Sequence, residues 1–171
     1  MSGSRRRAAV PPCRKVESDS RRAQLINRII GNERGQEAVD WARKKMHLEG
    51  PTRKCLTWAM VDEQGEFVAV VVFSDITDHS ACFHFAAVPG TRWMTRRFIG
   101  QALDLAFGRL KIKRLTGPIR GSNARALAIA RKFGCPREGI LRQAFPDGDD
   151  CHIYGFLLEE YRSHRWKLPP V

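Results

Sequence analysis

Residues 121–139, GSNARALAIARKFGCPREG, read as a turn, a short helix and the start of a strand. Asn123 stands where the helix opens. An asparagine there accepts a hydrogen bond from a backbone N–H that the first turn leaves free. Lys132-Phe133-Gly134 closes the helix. Asn123 therefore has two readings, a helix cap or a ligand contact, and one side chain can serve both.

Working outward, KIKRLTGPIR (111–120) predicts a strand before that helix, and GILRQAFP, DGDD and CHIYGFLLEE predict a strand, a turn and a strand after it. Upstream, TRWMTRRFIGQALDLAFGRLK places Phe98, Ala102, Leu105, Ala106 and Leu110 at helical intervals, so a long amphipathic helix starts near Met94. Three strands precede it: KCLTWAMVDE, EFVAVVVFSDITD and ACFHFAAVP. The first two are joined by a tight turn at Gln64-Gly65, and the apolar run of the second implies burial on both faces. Residues 21–47 read as helical with breaks near Gly31 and Gly35, and the tail EEYRSHRWKLPPV as a short helix and coil. In that tail Tyr161, His164 and Trp166 form the apolar side of the helix or dock an oligomer partner.

This order predicts an α/β (α+β) fold: a mixed, mostly antiparallel sheet flanked by helices. A strand–helix–strand crossover makes the strands at 81–89 and 111–120 parallel neighbours. Ligands bind in the crevice at the carboxyl ends of such strands, with phosphates at a helix N-terminus.

The chain has 171 residues, and its 30 Lys+Arg against 18 Asp+Glu give +12. Seven basic and two acidic residues fall in 1–22, including the Arg5-Arg6-Arg7 run, and Pro11-Pro12 lies among them in sequence. That composition predicts a flexible basic arm over 1–22 and one domain over 23–171. The positive field favours anionic partners, including non-specific nucleic acid or virion proteins through residues 5–22. No helix-turn-helix, zinc finger or aromatic RNA platform accompanies the arm, so base readout is unsupported. Five cysteines at wide spacings contain no Cys-x-x-Cys pair, which argues against a zinc site and fits a reducing cytoplasm. The apolar run at 67–73 is too short to span a bilayer.

The element order and the last sixty or so residues resemble the GCN5-related N-acetyltransferases. The motifs are Asn123-Ala-Arg-Ala126, Lys132-Phe133-Gly134-Cys135, Glu138-Gly139-Ile140-Leu141-Arg142 and Tyr154-Gly155-Phe156-Leu157. The long helix and the ending EEYRSHRW resemble short bacteriophage-encoded members. The resemblance covers roughly residues 40–165 and implies acetyl transfer from acetyl-CoA to an amine of a protein or small molecule, with a parallel splayed strand pair at the cofactor cleft. It implies that Asn123 bonds the pantetheine arm and that a backbone N–H near Val88 polarises the acetyl carbonyl. It also places the pyrophosphate at residues 92–97, where Arg92 matches the family pattern while Thr95 and Arg97 replace its two glycines. Arginines suit phosphate geometry, so Arg92, Arg96 and Arg97 can replace the lost backbone contacts, and Thr95 can donate its hydroxyl or cap the helix. The tyrosine that many members carry seven residues after the asparagine is Ala130 here. Tyr154 is then the remaining acid candidate, or a packed strand residue. His84 is the best-placed base, or a satisfied sheet histidine, and Asp75 and Glu138 are further carboxylates to weigh. These departures leave a second reading open: a protein that keeps the fold without the chemistry and acts as a virion or DNA- or protein-binding component.

Overall fold

A computed structural model describes residues 27–46 and 55–169. The basic arm 1–22 lies outside these residues. The described chain forms seven strands, β1 (Arg28–Ile30), β2 (Leu56–Val61), β3 (Phe67–Ser74), β4 (Ser80–Ala87), β5 (Arg114–Arg120), β6 (Arg137–Leu141) and β7 (Cys151–Leu157), in the sheet order β1-β2-β3-β4-β5-β7-β6, all antiparallel except one pair. The meander β2 (Leu56–Val61), β3 (Phe67–Ser74) and β4 (Ser80–Ala87) forms as its patterning predicts. Seven of the eight β3 residues are buried, as befits a strand covered on both faces.

The N-terminal expectation is corrected. Instead of a helix through 28–34, Arg28–Ile30 is strand β1 on the sheet edge, pairing antiparallel with β2. Two β-branched isoleucines favour extended backbone, and an available sheet edge overrides the weak helical pattern. A 3-10 turn, Asn32–Arg34, then leads into α1, Gly35–Met46. Asn32 pins this corner, its Oδ1 accepting from both the N–H and the hydroxyl of Thr57 at 3.1 Å.

Helix α1 lays Ala38, Val39 and Ala42 on one sheet face, against Ala59, Val70, Val72 and Ala86. The opposite face carries the larger core. Helix α2, Arg96–Leu103, continues as a π-helical segment, Asp104–Arg109, and buries Phe98, Ala102, Ala106 and Phe107 there. Strand β5 (Arg114–Arg120) follows, then α3 (Ala124–Phe133), β6 (Arg137–Leu141), β7 (Cys151–Leu157) and α4 (Leu158–Ser163). Phe156 of β7 meets Phe107 edge-on at 5.9 Å and Phe133 of α3 at 5.4 Å, so α2 and α3 share this face.

The tail folds inward. Tyr161 stacks on Phe107 at 5.1 Å, and His164 and Trp166 lie 4.5 and 6.2 Å from the Phe133 ring. His164 Nε2 also lies 2.9 Å from the Phe133 carbonyl. These aromatics are thus the apolar side of the terminal segment. The segment also crosses α2 at Gly100, where a Cβ would meet the Trp166 carbonyl at 2.7 Å.

Candidate active site

The only parallel contact among the described strands is β4–β5, and it is short. Ser80, Ala81 and Cys82 face Arg114, Leu115 and Thr116, and pairing then stops. Beyond it β4 stays with β3 as far as Ala87, while β5 follows β7 to Arg120. The backbones part, and a gap opens toward their carboxyl ends. At the vertex the Phe83 ring lies across Gly117, where a Cβ would come within 2.9 Å of it.

Helix α3 starts at the end of β5. Asn123 caps it, with Oδ1 accepting from the Ala126 N–H at 3.0 Å. This bond uses only the side-chain oxygen. Asn123 is exposed, and its amide N–H groups have no partner among the described residues. Gly134 ends the helix at φ 94°, a left-handed conformation that suits glycine.

The loop that presents Asn123 is held from the β6–β7 turn. Asp149 accepts from the Ser122 N–H at 3.2 Å and from its hydroxyl at 2.6 Å. Arg120 pairs with Asp147 at 2.6 Å and Asp149 at 3.5 Å, and its guanidinium lies 4.0 Å from the Phe145 ring centroid. The Gly121 N–H donates to the Asp150 carbonyl at 2.8 Å. The Ser122 hydrogen bond, above all, holds the Asp149 carboxyl below its usual range.

Helix α2 starts at the end of the β4 loop. Thr95 is its cap, accepting from the Phe98 N–H at 3.1 Å. The N–H groups of Arg96 and Arg97 then occupy the first two helical positions, which have no intrahelical acceptor. Arg92, Arg96 and Arg97 are all exposed. Arg96 donates to the Lys167 carbonyl at 3.0 Å, so the tail fixes one of the three. Trp93 is buried, its ring 5.4 Å from Phe85, and belongs to the core beneath the loop. The start of α2 thus offers two helix N–H groups without intrahelical acceptors, with the exposed Arg92 and Arg97 close in sequence and Arg96 tied to the tail, and groups of this kind bind phosphates.

The Val88 assignment needs correction. In an antiparallel pair, alternate residues turn both backbone groups toward the partner strand. The Val88 N–H donates to the Val68 carbonyl at 2.9 Å and is thus turned away from the gap. Ala87, one residue earlier and opposite Ala69, turns its N–H the other way. The gap-facing donor is therefore Ala87. The β3–β4 register carries this information, and an alternation count along ACFHFAAVP would have found it.

His84 and Tyr154 lie on opposite sheet faces. His84 is paired with Val72, on the α1 side. Its Nε2 lies 3.3 Å from the Ser74 hydroxyl, which donates to Asp75 at 3.2 Å. Burial pushes the His84 pKa down, and the Asp75 charge partly opposes that, so the imidazole is neutral at pH 7. Tyr154 is buried on β7 opposite Gly117, within the core shared by α2 and α3. Ala130 is also buried there. Glu138 is ion-paired with Arg114, a partnership that lowers its pKa and raises that of the arginine. Among the described residues no group of three or more His, Cys, Asp or Glu is arranged to hold a metal ion. No described helix is long and apolar enough to cross a membrane.

No protein-family model matches the chain, and no curated protein does. Solved structures do. A single-residue variant of the spermidine N-acetyltransferase SpeG from Vibrio cholerae superposes with a TM-score of 0.67 at 17% identity, over 80% of this chain and 96% of that one. The same enzyme in complex with CoA and spermine gives 0.64 at 19% identity, covering 80% and 98%. A dodecameric form of the Vibrio cholerae enzyme in an intermediate state gives 0.64 at 20% identity, covering 81% and 98%. The fold is therefore that of the GCN5-related N-acetyltransferases: a seven-stranded, mostly antiparallel sheet with the parallel pair β4–β5.

Proposed function

We propose that this protein is an acetyl-CoA-dependent N-acetyltransferase of the GCN5-related family, acting on an amine of a protein or small molecule. The observation that carries the reading is the parting of β4 and β5 between two capped helix starts, one presenting Asn123 and the other Arg92, Arg96 and Arg97. Bound acetyl-CoA would supply the activated acetyl thioester. The arginines and the first N–H groups of α2 would hold its pyrophosphate. The free amide of Asn123 would donate to the pantetheine arm, and the Ala87 N–H would polarise the acetyl carbonyl.

His84 is the proton acceptor in this scheme. Burial keeps it neutral, which is the form a base needs, and the Ser74 hydroxyl, lying between the ring and Asp75, orients the ring. Tyr154, across the sheet, would return a proton to the leaving thiolate. The CoA- and spermine-bound neighbour suggests a small amine as acceptor. Bacteriophage origin, a cytoplasmic setting and salt-sensitive nucleic-acid or virion-protein contact through residues 5–22 belong to the same reading, and rest on the sequence.

The test is release of free CoA thiol with a panel of monoamines, polyamines and peptide amines. His84→Ala is expected to lower turnover about 100-fold or more while acetyl-CoA binding persists. Ala130, standing where many family members carry a tyrosine, favours the rival that the fold outlived the chemistry. Absence of turnover with every amine, together with absence of acetyl-CoA binding, would decide for that rival.

A further inference from the structure

A cavity of about 330 Å³ lies between α3 and strands β6 and β7. Its lining is Leu127, Arg131, Cys135, Arg137, His152 and Tyr154. Three basic side chains thus converge from three elements, and no carboxylate lines the space. Arg131 uses its Nε on the Leu127 carbonyl at 3.3 Å, which leaves its two terminal nitrogens free to face a ligand. The Arg137 side chain has no hydrogen bond or ion pair to any described residue. It pairs with Tyr154 across β6–β7, and a register shift follows, so Arg137 lies on the cavity side while Glu138 pairs with Arg114. His152 Nδ1 is buried without a partner among the described residues. A buried polar atom left unpaired costs free energy that a ligand's hydrogen bond, or a water, can recover.

Unpaired arginines gathered at a concave surface repel one another, and an anion between them reverses that cost. Guanidinium forks match the tetrahedral oxygens of phosphate, and an imidazole adds a third donor. The volume is at the small end of ligand sites. The apolar walls of Leu127 and Tyr154 allow a compact organic group beside the anion. Covalent thiol chemistry is excluded by Cys135, whose burial pushes its pKa up to about 12 and keeps it protonated.

We propose that this cavity is a second binding site, for the phosphate group of a small phosphorylated ligand, held by Arg131, Arg137 and His152. The inference rests on the cavity alone and does not depend on acetyl transfer. Such a group could come from a free phosphate ester or from the 3′-phosphate of CoA, and the test separates the two.

The experiment is calorimetric titration of the full chain with inorganic phosphate, CoA and dephospho-CoA, at constant ionic strength set with chloride. Arg131→Gln/Arg137→Gln is compared with the wild type. Both arginines are exposed, so the double variant retains the fold, which circular dichroism verifies. Wild type is expected to bind phosphate with a stoichiometry of about one. The double variant should bind it about tenfold or more weakly, and the His152 ring ¹⁵N signals should move on titration in wild type only. Unchanged dephospho-CoA and CoA affinities in the variant would identify a free phosphate ester as the source. A loss for CoA alone would identify the 3′-phosphate. Equal phosphate affinity in the two proteins, or a His152 signal indifferent to phosphate, would overturn the proposal.

Discussion

Replacing Gly117 with alanine tests the geometry at the vertex of the β4–β5 gap. A Cβ at this position would stand 2.9 Å from Phe83 Cε1 and 3.1 Å from Cζ. Both distances are inside van der Waals contact, and the obstacle is a rigid ring rather than a flexible chain end. Gly117 is buried and has no positive φ, so the backbone itself accepts alanine. Overpacking of this kind costs about 1–3 kcal/mol. Alanine recovers about 0.5–1 kcal/mol of that by restricting the unfolded chain. The net loss is about 0–2.5 kcal/mol, centred on about 1 kcal/mol, and a loss of about 1 kcal/mol lowers Tm by about 2–4 °C in a chain of this size. The ring must swing along the gap, so acetyl-CoA affinity should fall with stability. Gly117→Ala/Phe83→Leu relieves the clash and should recover most of both. Thermal melting and calorimetry of the two variants provide the assay. An unchanged Tm and unchanged affinity in Gly117→Ala would refute the placement of Phe83 across the strand.

Other perturbations separate roles that share one residue. Asn123→Asp keeps a cap acceptor but loses the amide donor, so it should hold stability within about 0.5 kcal/mol of wild type while weakening acetyl-CoA binding; Asn123→Ala should lose both. Asp149→Ala frees Ser122 and Arg120, and should raise KM for acetyl-CoA more than it lowers kcat, because it loosens the loop and leaves the reacting groups untouched. The lowered pKa of His84 means that the unfolded chain binds its proton first as pH falls. Stability from this residue is thus complete above its unfolded value near 6.5 and is lost as pH drops through that value toward the lower folded one. Denaturant melts from pH 7.5 to 5 should show this slope, at most about 1.4 kcal/mol per pH unit, and His84→Gln should flatten it.

Local chemistry made much of the fold legible. Asn123 and Gly134 bracket α3 because each performs a backbone task that few residues do well. The apolar run at 67–73 announced a doubly covered strand. Strand β1 was hidden because three residues carry too short a pattern, and the edge of β2 rather than intrinsic propensity settles their conformation. Candidate site residues could be listed from the sequence, but their geometry could not. Arg96 and Arg97 open α2, and Arg92 precedes its cap Thr95. The direction of one N–H separates Ala87 from Val88, and that depends on ladder register. Ser74, Arg120 and Asp149 gave no signal because their roles come from contacts across strands and loops. Arg131, Arg137 and His152 likewise meet only through the packing of α3 on β6 and β7.

The central claim is that the gap and the start of α2 together hold acyl-CoA. Isothermal titration of the full chain with acetyl-CoA at moderate salt tests it directly, with Arg92→Ala/Arg97→Ala beside the wild type. The account predicts one site per chain, an affinity that survives moderate salt, and a loss of about tenfold or more in the variant, as charge-assisted hydrogen bonds are removed. Absence of binding at millimolar ligand, or binding that salt erases and the variant retains, would contradict it.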